Sequence, residues 1–164
     1  MKDGIVLGID PGSCVMGYGV ISYQDAHTRY LSSGCIRISG VLSEKLSQIF
    51  SGISEIMREF KPQEVGVESV FMHRNPQSAL KLGQARGVAI VAASLLGAAI
   101  SEYSARQIKQ AVVGYGAAEK EQVQHMVCEL LQLSARPQSD AADALAVALC
   151  HVHSTQGIGR LREV

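Results

Sequence analysis

Four acids stand at the ends of expected strands and at the start of an expected helix, where they could share one site: Asp10, Glu68, Asp140 and Asp143. Asp140 and Asp143 open an otherwise apolar run, Asp-Ala-Ala-Asp-Ala-Leu-Ala-Val-Ala-Leu. Two positions three apart on a helix lie roughly 60° apart and less than a turn from each other. The helix macrodipole favours acids in a first turn, which accounts well for Asp140. It accounts less well for Asp143, which precedes residues that read as buried. Asp10 closes an apolar strand at Asp-Pro-Gly, and alone it would be an ordinary turn former. Glu68 closes another apolar strand, and Glu disfavours strands. If those strands are neighbours, both carboxylates emerge at one sheet edge, within reach of the helical pair.

Carboxylates sharing one pocket repel one another unless cations hold them. An all-oxygen donor set suits magnesium or manganese and not zinc. Two such ions roughly 3.5–4 Å apart can activate a water and stabilise the leaving oxygen of a phosphodiester. The expectation is therefore one acidic site for cutting nucleic acid, with Mg2+ as cofactor, Mn2+ able to substitute, and two ions per site. No histidine or cysteine nucleophile is needed. His27 and His73 read as loop residues and His125 as an exposed helical one. His151 and His153 are two apart, so they diverge on a helix and make no metal pair. All five read as structural or surface residues, with His73 near DNA. The scattered Cys14, Cys35, Cys128 and Cys150 include no Cys-x-x-Cys pair, which points to reduced, mostly buried thiols.

The elements that must position the acids follow from periodicity. Residues 4–9, 17–23 and 29–38 read as three strands of an antiparallel meander. Leu42, Leu46, Ile49, Phe50, Ile53, Ile56, Met57 and Phe60 share one face of a helix from about Ser43 to Phe60. Pro62 stops that helix, and Glu64–Glu68 is a short strand ending on an acid. Residues 69–75 read as a loop, with Pro76 opening a helix that continues to about 97. A strand at 98–103, a short helix near 105–112 and a Gly114-Tyr-Gly116 turn come next. A helix at 119–133 and a last one from beyond Pro137 to about His153 complete the pattern, leaving a loose tail at 154–164. The fold class is α/β, a mixed central sheet flanked by helices, with residues 1–153 forming one nuclease domain.

The 164 residues are 47% hydrophobic and 18% charged, a globular composition. The most apolar stretch, 88–100, is too short to span a bilayer, and no signal peptide is apparent, so a cytoplasmic protein with no membrane partner is expected. Net charge is zero, yet residues 69–118 hold Arg74, Lys81, Arg86, Arg106 and Lys109 against Glu102 alone, a local charge of +4. Charge by itself fits solvated helix faces at least as well as a nucleic-acid surface. Beside an acidic metal site it also fits a surface for DNA.

The motifs Gly-Ile-Asp10-Pro-Gly-Ser-x-x-x-Gly-Tyr-Gly, Val-Glu68-Ser-Val-Phe71 and Ala79-Leu-Lys-Leu-Gly-Gln-Ala-Arg-Gly87 resemble the RuvC family of bacterial Holliday-junction resolvases. So do Lys109-Gln-Ala-Val-Val-Gly114, Glu119-Lys120-Glu-Gln-Val and Asp140-Ala-Ala-Asp143-Ala-Leu-Ala, in unbroken order over about residues 4–153. The resemblance implies a ribonuclease H-like fold, a homodimer, and magnesium-dependent paired nicking of four-way DNA junctions in recombination and repair. It also implies a RuvA/RuvB branch-migration complex as partner. Its catalytic and metal-binding acids fall on Asp10, Glu68, Asp140 and Asp143, its basic DNA contacts on Lys109 and Lys120, and its aromatic wedge on Phe71. Arg74, Lys81 and Arg86 join the expected DNA-binding set. The apolar face of the 76–97 helix is a candidate dimer surface. Ser69, where relatives often carry Gln, and His73 are departures at the junction-facing loop.

Rival readings remain at this level. Asp10-Pro-Gly before a Gly-rich strand also resembles the phosphate hairpin of actin-like ATPases and sugar kinases. That family needs two related domains and a second phosphate loop, so no ATP binding is expected. A non-catalytic junction-binding relative would have lost an acid, and all four are present. A related nuclease acting on another DNA or RNA structure differs only in substrate.

Overall fold

The computed structural model describes residues 3–70 and 75–157. Strands β1 (Asp3–Asp10), β2 (Val15–Gln24) and β3 (His27–Arg37) form the expected meander. Helix α1 (Leu42–Phe60), strand β4 (Glu64–Glu68), helix α2 (Pro76–Leu95) and strand β5 (Ala99–Tyr103) follow. Helices α3 (Ala105–Val112), α4 (Lys120–Leu130) and α5 (Ser139–Thr155) complete the order. The sheet runs β3-β2-β1-β4-β5. β1, β2 and β3 pair antiparallel, whereas β1, β4 and β5 pair parallel. This is the mixed sheet flanked by helices of the ribonuclease H-like class.

The two faces of the sheet are read by alternation, since side chains switch face at every residue. Leu7 and Ile9 of β1 and Val65 and Val67 of β4 pack with Ile49, Ile53 and Met57 of α1 and Ala85, Ala89 and Ala92 of α2. Val6 and Ile21 face the other way, into a core with Ile108 and Val112 of α3, Val123 and Val127 of α4, and Leu145 and Leu149 of α5. Asp10 is in phase with Val6, and Glu68 is in phase with Gly66, which abuts Val147 and His151. Both acids therefore belong to the face that α5 covers.

Helix α5 lies unusually close to the sheet because glycines open a channel beneath it. A Cβ on Gly8 would fall 2.0 Å from the Ala144 carbonyl oxygen, and one on Gly17 would fall 2.0 Å from that of Asp140. A Cβ on Gly19 would come within 2.7 Å of the Leu145 side chain. The reciprocal surface of α5 is small as well, with Ala141, Ala142, Ala144 and Ala148 all buried.

Helix ends follow local chemistry. Glu44 accepts the Val41 N–H at 3.0 Å to start α1, and Asn75 accepts that of Gln77 at 3.0 Å ahead of Pro76. Ser104 and Gln107 cap α3 reciprocally, at 3.1 and 2.8 Å. Three helix C-termini differ from the sequence expectation. α2 ends at Leu95 because Gly97 turns left-handed at φ 92° and Ala98 N–H donates back to Ala93. α4 ends at Leu130, three residues early, with Gln132 left-handed at φ 52°. α5 runs on to Thr155, whose hydroxyl donates to the carbonyls of His151 and Val152. Of the expected tail, residues 158–164 lie outside the described residues.

Candidate active site

Asp10 is the last residue of β1 and Glu68 the last of β4, one step beyond the paired Ile9 and Val67. They emerge side by side. Asp10 also pairs with Gly17 of β2, and Gly17 is the residue on which the Asp140 backbone rests. Close packing over that glycine brings the start of α5 down onto the sheet edge. Oxygens of Asp10, Asp140 and Asp143 then lie within 4.8 Å of one another. Glu68 joins through a hydrogen bond with Asp10. All four acids expected from the sequence thus meet.

Their electrostatics are those of charge held against its preference. Burial pushes Asp10 up to about 8, and the carboxylates of Glu68, Asp143 and Asp140 add to the rise. The hydrogen bond with Glu68 favours the protonated form of Asp10. Glu68 is raised by burial and by Asp143, against the pull of that hydrogen bond and of Lys109 and Lys120. Burial also raises Asp143, opposed by Lys120, whose Nζ lies 3.1 Å from Asp143 Oδ2. That contact in turn holds the Lys120 ammonium above its ordinary value. An oxygen-only set this close, with its carboxyls raised by burial and by one another, fits a divalent cation of the magnesium type.

Lys109 and Lys120 line a cleft of about 240 Å³ with Glu68 and Asp143, floored by Ile108, Val123 and Ala146. Lys81 is exposed on α2. Arg86 is committed elsewhere: it contacts Glu102 at 2.8 Å, and its Nε donates to the Glu68 carbonyl at 3.1 Å. Its geometry clamps the end of β4 to β5. Phe71 and Arg74 lie outside the described residues, as does His73.

Sequence reasoning passed over two features near the site. Cys35 of β3 faces the start of α5; burial raises its thiol, with Asp140 adding to the rise. Its position three residues from Ile38, on a strand read only as apolar, gave no hint of this. His151, read as structural or surface, is buried and joined to Tyr103 and Glu64. A histidine inside an apolar helix and an acid opening a buried strand were the available signals.

The family model described as "Crossover junction endodeoxyribonuclease RuvC" matches residues 6–151. The chain belongs to the RuvC family. The RuvC of Tolumonas auensis is 64% identical over 158 residues, covering 96% of this chain and 91% of that protein. The RuvC of Legionella pneumophila strain Corby is 62% identical over 159 residues, with the same coverage of each. Among solved structures, Thermus thermophilus RuvC in complex with Holliday junction substrate superposes with a TM-score of 0.89 at 36% identity, covering 95% of this chain and 96% of that one. The yeast mitochondrial Holliday junction resolvase Ydc2, with a TM-score of 0.69 at 12% identity over 96% of this chain and 82% of that one, shares the fold. The chain is accordingly a metal-dependent endodeoxyribonuclease of crossover junctions, acting in recombination and repair.

Proposed function

We propose that Asp10, Glu68, Asp140 and Asp143 are the catalytic metal ligands and that the chain nicks four-way junctions symmetrically as a homodimer. The observation that carries this reading is the convergence of Asp10, Asp140 and Asp143 within 4.8 Å, with Glu68 beside Asp10 at the sheet edge. Two Mg2+ ions, with Mn2+ as substitute, would be held by these acids and would supply an activated water and a stabilised leaving oxygen. Asp10 and Glu68 orient from the rigid sheet edge, and Asp140 and Asp143 from the helix. Lys120 and Lys109 flank the acids in one cleft, where they can neutralise phosphates on either side of the scissile bond. Lys81, exposed on α2, and Phe71 and Arg74 are the remaining candidate DNA contacts.

A near two-fold junction needs two sites related by symmetry. The outer face of α2 supports such a pairing, since Leu80, Val91 and Leu95 are 69%, 50% and 70% exposed. Among the described residues no helix is long and apolar enough to cross a membrane. Family resemblance puts the work on DNA in the cytoplasm, beside a RuvA/RuvB motor.

The test is a side-by-side cleavage assay on four-way junction, fork, duplex and RNA–DNA hybrid with magnesium or with chelator. Paired nicks in the junction alone, with magnesium alone, are expected. Equal cutting of duplex or hybrid would overturn the substrate, and cutting in chelator would overturn the metal.

A further inference from the structure

Helix α5 runs antiparallel to β4, with its acids over the Glu68 end and His151 over the Glu64 end. The ring of His151, 2% exposed, bridges two partners. Its Nε2 contacts Glu64 Oε2, and its Nδ1 lies 2.8 Å from the Tyr103 hydroxyl. Tyr23 of β2 donates to the other Glu64 oxygen at 3.1 Å. One polar chain, Tyr23–Glu64–His151–Tyr103, thus ties β2, β4 and β5 to α5.

The spacings on the two elements match. From Asp143 to His151 is eight residues of helix, about 12 Å at 1.5 Å per residue. From Glu68 back to Glu64 is four residues of strand, about 13 Å at 3.3 Å per residue. The helix and the strand are rails of equal length, with His151–Glu64 as the rung at one end and Asp143 over Glu68 at the other.

The rest of this interface is packed by shape. Gly8 and Gly17 meet the backbone of Ala144, Ala148 and Asp140, Gly19 meets the Leu145 side chain, and Gly66 meets the side chains of Val147 and His151. Apolar burial is non-directional, and the polar chain adds a directional constraint to it. Hydrogen bonds to a buried ring are directional and lock one position. Tyr103 adds a second constraint, because it is the residue paired with Glu68 across β4 and β5, and its carbonyl accepts the Ser69 N–H at 2.8 Å.

We propose that His151, held by Glu64 and Tyr103, is a positioning residue that sets the register of α5 and so the placement of Asp140 and Asp143 against Asp10 and Glu68. It touches neither metal nor DNA. The proposal rests on the reading of the four acids as metal ligands.

The experiment compares His151→Leu, Glu64→Gln and Tyr103→Phe with the parent and with Asp143→Asn. Mn2+ affinity is measured by calorimetry, kcat on a synthetic junction at saturating metal, and junction binding in chelator. His151→Leu and Glu64→Gln should weaken Mn2+ binding and lower kcat by roughly tenfold, as loss of outer-sphere support does. Tyr103→Phe should move both in the same direction by less, and junction binding should stay within about twofold of the parent because positive charge dominates it. Folded variants with parental Mn2+ affinity and kcat would overturn the register role. If His151→Leu does not fold, Tyr103→Phe and Glu64→Gln decide by the same criterion. Asp143→Asn losing Mn2+ while His151→Leu keeps it would sink the rung alone; Asp143→Asn keeping Mn2+ would sink the ligand assignment beneath it.

Discussion

Lys120 Nζ lies 3.1 Å from Asp143 Oδ2, so a lysine at the start of α4 holds an acid of α5 that the proposed chemistry needs for metal. The same lysine lines the cleft with Lys109 and Glu68. A metal held by Asp143 would compete with this ion pair and would free the ammonium for a phosphate. Lys120→Met should therefore bind Mn2+ more tightly in the absence of DNA while cutting junctions roughly tenfold more slowly or worse. Calorimetry without DNA and single-turnover cleavage separate the two effects. The salt dependence of junction binding should also lose about one unit of slope.

Asp10 makes stability without metal depend on pH. Its folded-state value of about 8 stands above the ordinary 3.8, so the folded state binds the proton more tightly than the unfolded chain does. Stability in chelator should be greatest at the acidic end of that window and fall as pH rises from 4 towards 8. Asp10→Asn should flatten this dependence and raise the neutral-pH Tm in chelator by about 3–6 °C. Magnesium should stabilise the parent increasingly as pH rises, because it binds the deprotonated acids. Scanning calorimetry across pH 5–8 is the measurement, and a parent Tm that climbs with pH in chelator would contradict the assignment.

Loss of charge at the site should separate cutting from binding. Asp10→Asn and Asp143→Asn remove metal-ligating charge with little change of shape. Cleavage should fall below detection, while junction affinity in chelator holds or improves slightly as negative charge leaves the DNA face. Normal cutting by either variant would show the site to be misassigned.

Glycines under α5 are as necessary to the site as the acids above them. A Cβ at position 17 would press on the Asp140 carbonyl oxygen at 2.0 Å, a backbone atom that cannot swing aside. Gly17→Ala should destabilise the fold by about 1–3 kcal/mol and lift the first turn of α5 from the sheet. Cleavage should fall by more than the loss of folded protein explains.

The elements were legible wherever one face is buried and the other is not. The α1 pattern from Leu42 to Phe60, the β4 acid at Glu68 and the Pro76 start of α2 each read from local chemistry. The helix ends at Leu95 and Leu130 did not, because Gly97 and Gln132 break the helices by backbone conformation while the apolar pattern runs on. Arg86 is an expected DNA contact in the sequence, since nothing local reveals that Glu102 and the Glu68 carbonyl lie across a strand pair.

By itself the sequence determined which atoms are available: four carboxylates at element ends, two lysines, and glycines spaced on alternate positions of β1 and β2. Those are local properties, set by residue type and period. Tertiary structure decided that Gly17 lies under Asp140, that β1 and β4 are neighbours, and that His151 sits a matched length from Asp143. Such relations depend on how far one element slides along another. Non-directional packing leaves that distance open until the whole sheet and its helix are in place.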